Sequence, residues 1–149
     1  IFAAGDLAAG PTAFGEAHEI HALWSTAVEH GRTAGANLAG GRQRYAGSLN
    51  MNVTEMFGLT VASMGRFGAQ AQVGDFQETD AGEPRYLRLC FQGELPVGAV
   101  AVGPPELASV LGRLRPFIRQ RRPLPDPAAF VAGRVSWSRT TPETERCAS

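Results

Sequence analysis

The sequence predicts an α+β chain, and three stretches predict it. An amphipathic helical pattern runs through "HALWSTAVEHGRTAGANLAGG", a pair of alternating β-prone runs faces across Gly93, and a second helical pattern follows Pro104-Pro105. The helices flank a block of short strands instead of alternating with them, which is the order of an antiparallel sheet with helices segregated around it.

Taken in order, "IFAAGD" reads as the last stretch of a buried strand that ends in the small residues before Gly5 and Asp6. Leu7 to Ile20 holds no regular period, is punctuated by Gly10, Pro11 and Gly15, and is expected to be a loop. In the first helix Leu23, Trp24, Ala27, Val28, Gly31, Ala34, Gly35 and Leu38 form a stripe at the helical period, and Gly40 and Gly41 end it. The stripe narrows from Trp24 to glycines, which predicts a close neighbour at Gly31 and Gly35.

After Tyr45 the pattern turns to strands. "FGLTVASM" gives one at Leu59 to Met64, and "YLRLCF" and "LPVGAVAV" give a hairpin around Gln92-Gly93-Glu94. The early Pro96 places that position at an edge or in a strand's first residues. The polar "AQVGDFQETDAGEPR" is expected to be a loop with one further short strand. The second helix opens on Pro105 and turns Leu107, Val110, Leu111, Leu114, Phe117 and Ile118 to one face. Pro116 costs it a hydrogen bond to the Gly112 carbonyl and predicts a kink. Residues 123–149, rich in Pro and then in Ser, Thr and Glu, are expected to be an unstructured tail in which only Val131, Val135 and Trp137 could dock.

Composition excludes more than it selects. Fourteen basic and 14 acidic residues leave no net field to gather nucleic acid or an anionic membrane. Every basic residue is Arg, so a phosphate-cradling P-loop Lys, a Schiff base and a Lys general base are all ruled out within this chain. Cys90 and Cys147 belong to no close pair, so reduced thiols and a cytoplasmic setting are expected, with Cys90 buried as a small hydrophobe. No apolar run reaches the roughly 18 residues of a membrane span. "EAHEIH" spaces His18 and His21 three apart, which is wrong for a zincin helix, and no metal site is expected there or at His30. Ser63 in "VASMG" lacks the first Gly of a nucleophile elbow and sits in a strand. Arg113, Arg115, Arg119, Arg121 and Arg122 read as a solvated helix end that complements the dipole, with a phosphate site as the minor alternative. No residue stands out as a catalytic acid, base or nucleophile.

One pairing does point to a ligand. A strand ending in Gly5-Asp6 brings backbone close to a bound molecule and offers a carboxylate to hydroxyls, while the next helix offers unpaired N–H groups near Ala22 and Leu23 to an electron-rich oxygen. A polyol at one and an anion-forming ring at the other describe a flavin.

On "IFAAGD", "HALWSTAVEHGRTAGANLAGG", "YAGSLNMNVTEMFGLTVASMG" and "RYLRLCFQGELPVGAVAVG" in that order, residues 1–122 resemble the C-terminal part of FAD-dependent pyridine nucleotide-disulfide oxidoreductases. The most similar branch is that of the NADH oxidases, rubredoxin reductases and nitrite reductases. The resemblance implies that 1–45 is the last strand and helix of an FAD-binding Rossmann-like domain and that 46–122 is a small antiparallel-sheet and helix interface domain. It implies that Asp6, after Gly5, holds the ribityl chain of FAD, that Ala22 and Leu23 face the pyrimidine edge, and that Trp24 occupies a position commonly Trp. Ser25 and His30 stand where relatives often have Pro and Gln.

Without a G-x-G-x-x-G, an NAD(P) half or an active-site cysteine region, the chain looks like the C-terminal third of a longer enzyme. The implied activity moves electrons from NAD(P)H through FAD to an acceptor, which could be a protein, with a homodimer formed through 46–122. The alternative is a non-catalytic dimerisation or partner-docking module.

Overall fold

The computed structural model describes residues 1–68, 76–80, 82 and 84–132. An N-terminal unit comprises a hairpin, β1 (Gly10–Thr12) and β2 (Gly15–Glu19), and helix α1 (Trp24–Leu38). Five strands follow: β3 (Met51–Met56), β4 (Leu59–Gly65), β5 (Phe76–Asp80), β6 (Arg85–Gln92) and β7 (Leu95–Gly103). They form one antiparallel sheet in the order β3-β4-β7-β6-β5, closed by α2 (Pro105–Arg119) and the short α3 (Pro127–Val131).

α2 packs against β7 and β4 and buries the six apolar residues that its sequence period selects. They meet Ala62, Met64, Leu87, Leu89, Ala99 and Ala101 from the facing side of the sheet, so the core is a two-layer sandwich of helix on sheet. The helix continues through Pro116 to Arg119. The expected hairpin is β6–β7, turning at Gly93, whose φ of 63° suits glycine. Pro96 is the second residue of β7, the central strand, and sits opposite Phe91 where the register shifts. The shift lets Pro96 enter a central strand without breaking the ladder around it.

Several expectations are corrected. Ile1–Ala4 is not a strand, because among the described residues no strand lies beside it to accept its backbone hydrogen bonds. The segment from Leu7 to Ile20 is not a plain loop: it contains the β1–β2 hairpin, too short and too glycine-rich to show a period of two. β3 also lay hidden, since its residues from Asn52 to Met56 are all exposed and carry no alternation. Phe57 and Gly58, with φ of 53° and 78°, make the two-residue turn into β4. α1 forms as expected but buries Thr26 and His30, leaving Trp24 82% and Leu38 74% exposed. Nothing within 4 Å would meet a Cβ at Gly31 or Gly35, so the close neighbour expected there is absent from the described residues.

The tail expectation fails at its start. Asp126 caps α3 by accepting from the Ala129 N–H at 2.8 Å, Pro127 takes the first helical position, and Phe130 is fully buried. Val131 packs against the same core, whereas Val135, Trp137 and Cys147 lie outside the described residues. Cys90 is buried, as its apolar surroundings require.

Candidate functional site

Gly5 opens a tight turn closed by the Ala8 N–H on the Gly5 carbonyl at 3.0 Å, and its φ of 82° favours a residue without a Cβ. A Cβ there would meet the Ala27 Cβ at 3.8 Å, so the turn rests against the first turns of α1. Asp6 stands at the turn's exposed tip, and among the described residues no hydrogen bond or ion pair engages its carboxylate. Leu23 is the N-cap of α1 in an extended conformation and provides no side-chain cap. The first turn contains no acid, so its N–H groups keep their acceptor demand and their partial positive charge.

Five residues were singled out in the sequence. Gly5 is brought to α1 through Ala27; Ala22 and Trp24 are exposed and Leu23 half-buried at the helix start. Asp6, on the turn that Gly5 opens, therefore belongs to the same end of the N-terminal unit. The open Asp6 carboxylate, the uncapped start of α1 and the exposed Trp24 indole all belong to the N-terminal unit.

Between the hairpin and the end of β4 lies a cleft of about 590 Å³ lined by Phe14, Glu19, His21, Asn50, Arg66 and Phe67, with others. His21 Nε2 lies 3.1 Å from Glu19 Oε2. Arg66 stacks over the Phe14 ring at 4.7 Å. His18 is on β2 and His30 is buried in α1, edge-on to Tyr45 with ring centroids 4.5 Å apart. Among the described residues no three His, Cys, Asp or Glu side chains converge as metal ligands would. Ser63 lies within β4, hydrogen-bond partner strands on both sides.

The arginines do more than solvate a helix end. Glu29 of α1 accepts from Arg115 Nη2 at 2.9 Å and from Arg119 Nη2 at 3.0 Å, and Tyr45 Oη donates to it at 3.3 Å. Arg119 also donates to the Gly47 carbonyl, and Ser48 exchanges backbone bonds with the β1–β2 hairpin at Pro11 and Ala13, both at 2.8 Å. Arg113 donates to the Phe130 carbonyl at 2.9 Å and stacks on its ring. The Glu29, Gly47 and Ser48 contacts tie the N-terminal unit to α2, and the Arg113 contacts tie α3 to it. The only sequence signal for them was the excess of Arg on α2.

Burial pushes the Tyr45 hydroxyl above its ordinary value, and the Glu29 carboxylate adds to that rise against the opposing Ser48 hydroxyl and Arg119. Among the described residues no helix is long and apolar enough to cross a membrane.

No curated protein matches the chain. Among solved structures, 83% of it superposes on a NAD-dependent persulfide reductase from A. fulgidus with 22% identity and a TM-score of 0.66. The same share matches an FAD-dependent pyridine nucleotide-disulphide oxidoreductase from Desulfovibrio vulgaris at 20% identity and TM-score 0.67. It also matches reduced Bacillus anthracis CoADR-RHD at 19% and 0.66. The likeness is one of fold, and the chain spans only 26%, 32% and 25% of those chains. The family model for the rubredoxin NAD+ reductase C-terminal domain matches residues 51–114, from the start of β3 into α2. The five-stranded sheet with its packed helix is therefore similar, over that stretch, to the rubredoxin NAD+ reductase C-terminal domain.

Proposed function

We propose that the chain is the C-terminal part of an FAD-dependent NAD(P)H oxidoreductase, in which residues 1–45 complete the flavin site and residues 46–122 carry the subunit contact of a homodimer. The observation that carries this reading is the juxtaposition of the Gly5 turn, with its unengaged Asp6, and the uncapped start of α1. The residues fit FAD: Asp6 accepts from hydroxyls of a ribityl chain, and the α1 start favours the electron-rich pyrimidine edge at Ala22 and Leu23. Trp24 offers an apolar plane beside them. FAD, when bound, supplies the two-electron chemistry between NAD(P)H and an acceptor. This chain's own part is to bind, orient and stabilise charge, and it needs no acid, base or nucleophile for that.

The subunit contact is placed on the open edge of the sheet. β3 ends the strand order with Val53, Met56 and Phe57 54%, 51% and 99% exposed, an apolar edge of the kind that another chain covers.

The test uses the longer protein. Asp6→Ala is expected to weaken FAD retention by at least about tenfold, the loss of charge-assisted hydrogen bonds, whereas His18→Ala on exposed β2 leaves it unchanged. Flavin absorbance after dialysis reads both. Equal retention in the two variants removes Asp6 from the site, and a colourless longer protein inert to NAD(P)H overturns the oxidoreductase reading.

A further inference from the structure

The chain balances 14 basic against 14 acidic residues, yet one cleft gathers four arginines around a single carboxylate. It measures about 380 Å³, lies between α1 and α2, and has the stretch from Arg44 to Ala46 as its third wall. Arg32, Arg44, Arg115 and Arg119 line it, with Glu29 between them. The carboxylate is already engaged: both oxygens accept from Arg119, at 3.2 and 3.0 Å, and Oε1 accepts from Arg115 at 2.9 Å.

Those contacts set one carboxylate against the three guanidinium groups of Arg32, Arg115 and Arg119, and they hold the last two in place. A guanidinium has five N–H donors, and Glu29 with the Gly47 carbonyl uses only part of what Arg115 and Arg119 offer. Because the two forks are fixed by the clamp between α1 and α2, a ligand need not pay to order them. Arg32, three residues after Glu29 on α1, adds an exposed third guanidinium.

The geometry points to a second ligand site here, one that recognises phosphate groups on a small molecule. Planar forks converging in a concavity match the several oxygens of a phosphate or pyrophosphate. The cleft is a local feature of a chain with no net charge, not a basic stripe along which a nucleic acid could track. The inference stands apart from the flavin reading, since Glu29 and Arg32 are six and nine residues beyond Leu23, roughly 9 and 14 Å along the helix.

The experiment titrates the 149-residue chain at low salt with inorganic phosphate, pyrophosphate and ADP, by calorimetry. Pyrophosphate and ADP are expected to bind with Kd below about 1 mM and inorganic phosphate more weakly, as fewer oxygens meet the forks. Equal affinity for ADP and pyrophosphate assigns the phosphates alone as the ligand, and tighter ADP assigns a nucleotide. The variant Arg32→Gln is expected to lose at least about tenfold in affinity at an unchanged melting temperature, while Arg42→Gln outside the cleft loses nothing. Absence of saturable binding by all three anions overturns the proposal. So does unchanged affinity in Arg32→Gln, and so does a poly-glutamate peptide that binds as tightly as pyrophosphate.

Discussion

Tyr45 shows how single side chains join the two parts of the chain. Its hydroxyl meets Glu29 of α1 at 3.3 Å and Ser48 Oγ at 3.0 Å, and its ring takes the edge of His30. Burial and the neighbouring Glu29 carboxylate raise its pKa above 10.0, so the folded state favours the neutral phenol. A raised pKa contributes stability that is complete below the unfolded value and is lost as pH climbs through the folded one. Wild-type stability should therefore fall above pH 10.0 by an amount that Tyr45→Phe does not share. Melting temperatures of both proteins between about pH 8.5 and 11 check this, and parallel curves would remove Tyr45 from the linkage. Little of this network was legible beforehand. Glu29 and Arg115 are 86 positions apart, and no local pattern announces which of fourteen arginines a given carboxylate will meet. The Gly5–Asp6 pair was expected to end a strand, and it opens a tight turn instead.

At the scale of elements, legibility followed burial on one side. α2 was read residue for residue because the sheet covers one face and water the other, so all six apolar positions at the helical period are buried. α1 was read as a helix with the wrong face. Its stripe is exposed at Trp24, Gly31, Gly35 and Leu38, and the face that does pack uses Thr26 and His30. β3, exposed on both faces, had no alternation to find. α3 was missed for another reason: five residues are too few to show a period, and the cap at Asp126 with Phe130 as anchor replaces it. Phe130 is 0% exposed, lies edge-on to Phe117 at 5.7 Å and carries Arg113 over its ring at 5.0 Å. Phe130→Ala should cost about 3–5 kcal/mol, as removal of a large core aromatic does. Urea denaturation measures it, and a loss below about 1 kcal/mol would mean that α3 contributes no core.

Across the whole molecule, the most exposed large apolar side chains gather in two places, the β3 edge with its turn and the N-terminal unit. Ile1, Phe2, Leu7, Ile20, Trp24 and Leu38 all belong to the N-terminal unit and all stand more than half exposed, while the sheet domain has buried its helix-facing side. Apolar side chains exposed in this way are what a cofactor and a further domain would cover in the proposed longer protein. Gly31 and Gly35 on α1 turn the idea into a comparison. Neither has a neighbour within 4 Å of a Cβ position, and neither has a backbone conformation that requires glycine. In the 149-residue chain, Gly31→Ala and Gly35→Ala should each raise stability by about 0.5–1 kcal/mol, because alanine loses less backbone freedom on forming a helix. In the longer protein, glycines that admit a close partner would react the opposite way: each added methyl would meet that partner, lowering both the melting temperature and the flavin content. Thermal melts of the same two variants in both lengths decide the matter. A rise in both would leave α1 uncovered in the longer protein, and the exposed stripe from Trp24 to Leu38 would then need another explanation than a flavin domain.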